Sequence, residues 1–484
     1  MVKKGGRVPA VRLWLVTVLV LLLPGIASAD SLPGPVARVV DGLGVDRNHV
    51  SVWVQRLGDS EPLLAHQPDT PRNPASVLKL ATSLAALEGL GPDYRWRTEL
   101  HALGPVRDGV LEGDLLIRGG GDPFLVTEEF WKLTGALRRK GVSQITGDLV
   151  LDTRYFDLPA EDPGAFDGRP RRAYNQPPHP LLVNFNAVSF EIQPTGEGSP
   201  RVAADPPLPG LALSNRLALQ PGACGGFQRG VAFHVLENPG GSLPGVLLEG
   251  RYPSGCDDWR LVRTVLPVED YVHQLFGLLW SQWGGDFDGG WRLGQQPEDD
   301  AAPLVVHESP PLGQILRLVN KYSNNVMTRH LKLTLGAERF DAPATSEKGR
   351  VAVLEVLQEL GMDTDGVVMD NGAGLSRNTR ITARQVAQLL ALAWEHPWMP
   401  EFVSSLAIAG LDGTLQRRFD EGPERGRMHL KTGRLNDVAA VAGYVRPDEG
   451  GEPLLAVVLV NHPGAHQGPG QEIQEAVLRW AFRQ

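Results

Sequence analysis

The sequence predicts a mixed α/β fold of the α+β kind, an antiparallel sheet flanked by helices, with a large β-rich insertion. Three observations predict it. Strand patterns occur near both ends of the chain, an alternating one at 49–55 followed by 62–65, and again at 429–435, 438–445 and 454–461, with helical patterns at 312–335, 349–360, 382–394 and 471–482. Between about 100 and 303 the pattern changes to short strands punctuated by Gly and Pro, in keeping with totals of 56 Gly and 39 Pro. At 484 residues, 42% hydrophobic and 21% charged, the chain is globular in composition and too long for one ordinary core. The expected organisation is a leader at 1–29, a domain assembled from 30–99 and 304–484, and an inserted region at 100–303 with one or two small cores.

Taken in order, Lys3, Lys4, Arg7 and Arg12 precede an apolar run at 13–23, and Ala27-Ser28-Ala29 offers a small-residue cleavage site before Asp30. This is the pattern of a secretory signal peptide. The run is short for a bilayer span, and no later stretch is apolar for long enough to be one. An exported, periplasmic protein without a stable transmembrane anchor is expected. Its formal charge is −9 with the leader and more negative without it, and Lys and Arg form no clustered patch. Nucleic acid is therefore not an expected partner. Cys224 and Cys256 are the only cysteines; an exported chain can pair them, and a loop-stapling disulfide is the expectation.

Residues 33–43 read as a short amphipathic helix. Strands at 49–55 and 62–65, joined by a Gly58-Asp59 turn, form a hairpin. The run 74–89 reads as a buried helix, with Pro at its start, apolar residues on nearly every face and a Gly-Leu-Gly exit. A strand begins at 94–100. The insertion has strands at 110–118, 144–152, 183–193, 231–236 and 246–250, and helices at 128–139 and 268–283. Helical periodicity returns over 312–335, and the closing strands and terminal helix complete the sheet domain.

The polar residues of the 74–89 run are its informative ones. Ser76 lies in the first turn and Lys79 three residues on, so their side chains share one helix face. Desolvation lowers the pKa of a lysine toward the range where it takes up a proton, and a serine hydroxyl needs such a base to become a nucleophile. The helix N-terminus favours negative charge near Ser76. Ser-x-x-Lys is common by chance, and most examples are a cap and a solvated lysine, so its company decides. Ser323-Asn324-Asn325 lies within the helical segment; alone it is a polar turn. Lys431-Thr432-Gly433 lies within a predicted strand, where a glycine marks close approach of another backbone and the cation and hydroxyl suit an anionic group. Alone it is a hairpin turn. His462 and His466 flank a Pro-Gly, no His-Glu-x-x-His occurs, and no metal or cofactor is expected. The hydrolase elbow Gly-x-Ser-x-Gly is missing as well.

Together Ser76-x-x-Lys79, Ser323-x-Asn325 and Lys431-Thr432-Gly433 resemble the motif set of the penicillin-recognising serine enzymes. The long interval between the first two, where the insertion lies, is similar to the D-alanyl-D-alanine carboxypeptidase/endopeptidase group called penicillin-binding protein 4, or peptidase family S13. Gly119-Gly120-Gly121-Asp122-Pro123, Gly147-Asp148 leading to Asp152, Val183-Asn184-Phe185-Asn186, His307 to Leu312, Asp370 through Arg377, and Gly410-Leu411-Asp412-Gly413-Thr414 agree with that resemblance. Two positions depart from it: Asn324, where related enzymes often have Asp, and Arg434, where Thr or Ser is usual.

The resemblance implies a β-lactamase/transpeptidase-like domain and a serine D,D-peptidase acting on peptidoglycan stem peptides, with β-lactams as covalent inhibitors. It implies Lys79 as the base for Ser76, Ser323 as a proton relay, and Asn325 as a hydrogen-bond partner of the substrate peptide. Lys431 and Thr432 would hold the terminal carboxylate, the N–H groups of Ser76 and Arg434 would form an oxyanion hole, and Gly433 would admit a substrate lying along the strand. Arg377 and Asp167 would line a pocket for the stem-peptide diamino acid. Two other readings use the same chain: a β-lactamase or esterase with these residues, and a catalytically idle wall-binding protein whose working surface is the insertion.

Overall fold

The structure is a computed structural model that describes residues 31–195, 198–226, 228, 230–237, 243–295 and 302–484, together with Met1, Val2 and Gly5. The leader expected at 1–29 lies outside these residues except at Met1, Val2 and Gly5. Among the described residues, no helix is long and apolar enough to cross a membrane.

The central sheet is antiparallel throughout, in the order Ala407–Ile408, Met428–Leu435, Val438–Val445, Leu454–Asn461, Val50–Arg56, Leu64–His66. The strand Val438–Val445 is buried along its whole length, because both faces of the sheet are covered. Its alternate residues serve two cores. Ala440, Ala442 and Tyr444 pack with the helices Lys79–Leu90 and Ala383–Glu395, whereas Ala439, Val441 and Val445 pack with Gly34–Gly42 and Pro469–Phe482.

Two helical expectations are corrected at the places where chemistry is expected. The run 74–89 is not one α-helix: Ala75–Leu78 is a 3-10 turn, Ala75 has a left-handed φ of 46°, and the regular helix begins at Lys79. The run 312–335 is two helices, Leu312–Lys321 and Asn325–Phe340. Ser323, at φ 57°, turns the chain, and the Asn324 side chain accepts a hydrogen bond from Met327 N at 3.0 Å, capping the second helix. Short polar side chains bond the local backbone in place of the helix, which overrides the apolar periodicity on either side.

The insertion leaves and rejoins this domain through one strand pair. Arg97–Leu103 leads in, Val305–Glu308 leads out, and the two are antiparallel neighbours with Leu100 opposite Val305. Most of its buried apolar side chains form one cluster from Leu100 to Val305, while Phe156 packs with Leu333, Ala337 and Ala344. The strand expected at 110–118 is two, Val110–Leu111 and Asp114–Gly119, and that at 144–152 is Gln144–Ile145 and Leu149–Asp152. At the second break, a Cβ on Gly147 would come within 2.6 Å of the Gly113 backbone, so the two breaks are in contact. Leu213–Ala223 was not anticipated, since most of its residues are exposed and it shows no inside–outside alternation. It pairs in parallel with Gly245–Gly255, and a Cys224–Cys256 disulfide joins the ends of this pair with the Cα atoms 4.6 Å apart.

Candidate active site

Ser76 stands on the 3-10 turn, and the turn is held from both sides. Asn73 accepts from Ala75 N at 2.9 Å and donates to the Ser376 carbonyl at 2.8 Å, while its own backbone is gripped by Asn461 at 2.7 and 3.0 Å. These bonds over-determine the left-handed Ala75, a conformation that costs a non-glycine residue about 1–2 kcal/mol. Two glycines let other segments close on the turn: a Cβ on Gly433 would lie 2.6 Å from the Pro74 carbonyl, and one on Gly374 would lie 1.8 Å from that of Ala75.

Lys79 is fully buried. Its Nζ lies 2.9 Å from Ser76 Oγ, 2.7 Å from Asn325 Oδ1 and 2.6 Å from the Ala373 carbonyl. Burial first, and the charge of Lys431 second, hold its pKa well below the usual lysine range. Lys431 is buried too, and burial brings it down to about 7. Its Nζ donates to Ser323 Oγ and to the Thr432 carbonyl, each at 2.8 Å. Each serine therefore has its own lysine, and both hydroxyls face one cavity of about 430 Å³.

Thr432, Gly433 and Arg434 line the same cavity. Thr432 Oγ1 donates to Thr414 Oγ1 at 2.8 Å. The edge strand Ala407–Ile408 pairs only with Leu430 and His429. From Lys431 to Leu435 the strand therefore has a sheet neighbour on one side, Val438–Val445 in the register Gly433 to Ala440, and an unpaired ladder edge on the other among the described residues. Of the two departures, Asn324 is spent on the helix cap, whereas Arg434 is exposed at the cavity wall.

Asp167 and Arg377 do not line this cavity. They stand beside the Ala75–Leu435 wall, where Phe166 and Leu375 pack, and the Arg377 guanidinium lies 5.0 Å from the Phe166 ring centroid. Arg377 donates to the Asn436 carbonyl at 3.0 Å. Asp167 accepts from Tyr174 at 2.7 Å, Asn175 at 2.8 Å and Arg169 N at 3.0 Å. Burial alone would raise its pKa, but the Tyr174 and Asn175 bonds outweigh that and lower it. The same segment reaches the centre, since Asn325 Nδ2 donates to the Tyr174 carbonyl at 3.3 Å.

Sequence reasoning missed several partners. The carbonyls of Ala373 and Tyr174 are backbone groups, which no residue type announces. Thr414 ends a stretch noted for its resemblance, but nothing in the spacing places it against Thr432. Arg418, its guanidinium bonded to Glu475 at 3.3 Å and Gln474 at 3.2 Å, also lines the cavity, as does His466, one of the two histidines that flank the Pro-Gly.

With this geometry in view, the comparisons with known proteins are specific. The model of the D-Ala-D-Ala carboxypeptidase 3 (S13) family matches residues 36–484. A D-alanyl-D-alanine carboxypeptidase from an Actinomadura species is 32% identical over 422 residues, covering 84% of this chain and 76% of that protein. The D-alanyl-D-alanine carboxypeptidase DacB of Haemophilus influenzae is 26% identical over 391 residues, 80% of each chain. Among solved structures, penicillin binding protein 4 from H. influenzae superposes with a TM-score of 0.77 at 21% identity, over 94% of this chain and 100% of that one. A predatory peptidoglycan endopeptidase from Bdellovibrio bacteriovorus gives 0.51 at 16% identity, over 89% of this chain and 92% of that one. Because the family model spans the chain from the first described helix to the last residue, the protein belongs to the D-Ala-D-Ala carboxypeptidase (S13) family.

Proposed function

We propose that this serine hydrolase cleaves D-Ala-D-Ala bonds in peptidoglycan stem peptides through an acyl-enzyme on Ser76, and that β-lactams acylate the same oxygen. The single observation that carries the mechanism is the set of bonds around Lys79. A neutral amine has two N–H groups and one lone pair. The Asn325 and Ala373 oxygens, at 2.7 and 2.6 Å, take the two N–H groups, which leaves the lone pair for the Ser76 hydroxyl at 2.9 Å. Burial and then the charge of Lys431 lower its pKa, which favours the neutral amine that can accept a proton.

In this reading Ser76 Oγ attacks the carbonyl carbon as its proton passes to Lys79, and the oxyanion is held by the N–H groups of Ser76 and Arg434. Collapse breaks the C–N bond, and Ser323 passes a proton to the departing amine. Water then hydrolyses the ester. The substrate peptide adds to the open edge of the Lys431 strand, with Asn325 on its amide and Lys431 and Thr432 on its terminal carboxylate. Arg377 and Asp167 serve the diamino acid side chain from the adjoining wall. The domain formed by 30–99 and 304–484 houses this chemistry, 100–303 is an inserted unit, and the leader at 1–29 takes the protein to the periplasm. The H. influenzae protein has been crystallised in complex with a β-lactam, which supports acylation as the expected encounter.

The test is to incubate the purified protein with a free pentapeptide and with cross-linked muropeptides and to weigh the products. Loss of one D-Ala marks carboxypeptidase action and separation of the cross-link marks endopeptidase action. Absence of both products would remove the reading.

Lys431 also sets a pH dependence. Its pKa in the free enzyme lies at about 7, so the amine is charged below that value and neutral above it. The KM for substrates ending in a free carboxylate is expected to rise as pH increases through about 7, while the KM for the same peptides ending in an amide stays flat. Parallel KM profiles for the two series would remove Lys431 as the carboxylate anchor.

A further inference from the structure

The insertion contains a second cavity, of about 580 Å³, which shares no lining residue with the Ser76 site. It lies between the start of the helix Thr127–Arg139, the end of the helix Val268–Gln282 and the turn at Asp205. At its wall stands Trp131, 41% exposed. This indole is rigidly mounted: its ring centroid is 4.3 Å from that of Trp283, with the planes 32° apart, and Trp283 Nε1 donates to the Trp131 carbonyl at 3.1 Å. Gly135 makes the seat, since a Cβ there would come within 2.4 Å of the Trp283 ring. A fixed aromatic surface beside a cavity binds flat apolar faces with little loss of side-chain entropy.

The polar groups around it narrow the ligand. The two cations of the lining are already neutralised, Lys132 by Glu129 at 2.7 Å and Arg260 by Glu191 at 2.6 Å. The cavity thus has no spare positive charge for a phosphate or carboxylate. The exposed side chains of Glu128, Asp205 and Gln282 make no hydrogen bond or ion pair with another described residue, so two carboxylates and an amide stand free around a site whose apolar lining is Trp131 with Pro206, Pro207, Leu278 and Leu279. A lipid would strand them. A ring with an apolar C–H face and an equatorial rim of hydroxyls satisfies both features.

We propose that this cavity is a saccharide-binding subsite, in which a pyranose ring stacks on Trp131 while its hydroxyls bond to Asp205, Glu128 and Gln282. The occupant is a stretch of the glycan backbone to which the stem peptides are attached. That identification of the source rests on the function proposed above; sugar binding itself does not. The insertion would then hold the polymer while the Ser76 site works on its peptides.

The experiment uses the full chain with its active site blocked by penicillin. Glycan strands stripped of their peptides by an amidase, and chitotetraose as a defined β-1,4-linked amino sugar, are titrated and followed by tryptophan fluorescence and calorimetry, with maltotetraose as the control sugar. Saturable binding of both amino-sugar probes, weakened tenfold or more by Trp131→Ala and partly restored by Trp131→Phe, is expected, with penicillin labelling at Ser76 unchanged. No binding by the wild-type chain, or binding that Trp131→Ala leaves intact, overturns the subsite, and equal binding of maltotetraose overturns the wall-glycan source. Should Trp131→Ala also lose penicillin labelling, the exposed substitutions Asp205→Ala and Gln282→Ala decide, and unchanged affinity in both overturns the proposal. Labelling at Ser76 is read on the same samples, so a failure of the peptidase reading is seen separately.

Discussion

Ser76→Ala is expected to abolish covalent labelling by a fluorescent penicillin while the protein melts close to the wild-type temperature. The acyl-enzyme is an ester, and the oxygen must come from a hydroxyl whose proton has somewhere to go. Ser76 has Lys79 for that purpose at 2.9 Å. The other hydroxyl pairing with a lysine in the cavity, Ser323, receives its bond from Lys431, which burial alone brings down to about 7, whereas burial and the charge of Lys431 together hold Lys79 well below the usual lysine range. The alanine variant keeps the Lys79 bonds to Asn325 and Ala373, so the fold has little reason to change. A band that persists on a denaturing gel, mapped to Ser323 or elsewhere, would overturn the assignment of the nucleophile.

The second large effect is expected at Lys79. Lys79→Ala should slow acylation by about 10²–10⁴-fold, the usual contribution of a positioned general base. Lys79→Arg should not rescue it, because a guanidinium stays charged and has no lone pair to offer. Stability will also fall in the alanine variant, since the buried Asn325 Oδ1 and Ala373 carbonyl each lose a donor, at about 1–3 kcal/mol for each unsatisfied group. Acylation is therefore measured by stopped-flow well below the variant's melting temperature. A near-normal rate would assign the proton to another base, with Lys431 the first to examine.

Much of the fold was legible because its central strands are unusual. Val438–Val445 and Leu454–Asn461 are buried on both faces, and their near-continuous apolar runs stand out between turn residues. The helix Asn325–Phe340 was merged with its predecessor because apolar spacing continues across the break. The signal that splits them is Asn324, whose side chain caps the second helix next to the left-handed Ser323, and periodicity does not register it. In the insertion, strands with mostly exposed residues such as Leu213–Ala223 have no buried face to impose a period of two, and they were invisible for that reason.

The chemistry divides in the same way. The sequence by itself determined which functional groups are present: a serine with a lysine one turn away, a second serine with an asparagine two residues on, and a lysine-threonine-glycine strand. It also determined that the lysine of the first pair sits in apolar surroundings, because its neighbours are alanine and leucine. Only the tertiary structure decided how these groups share their protons. The Ala373 carbonyl comes from nearly 300 residues beyond Lys79 along the chain, and Lys431 reaches Ser323 across a separation of 108. Contacts of that range are set by how helices and sheet pack, and the one to Ala373 runs through a backbone atom that every residue type has. The orientation of a lone pair toward Ser76 follows from those contacts, and local spacing contains no record of it.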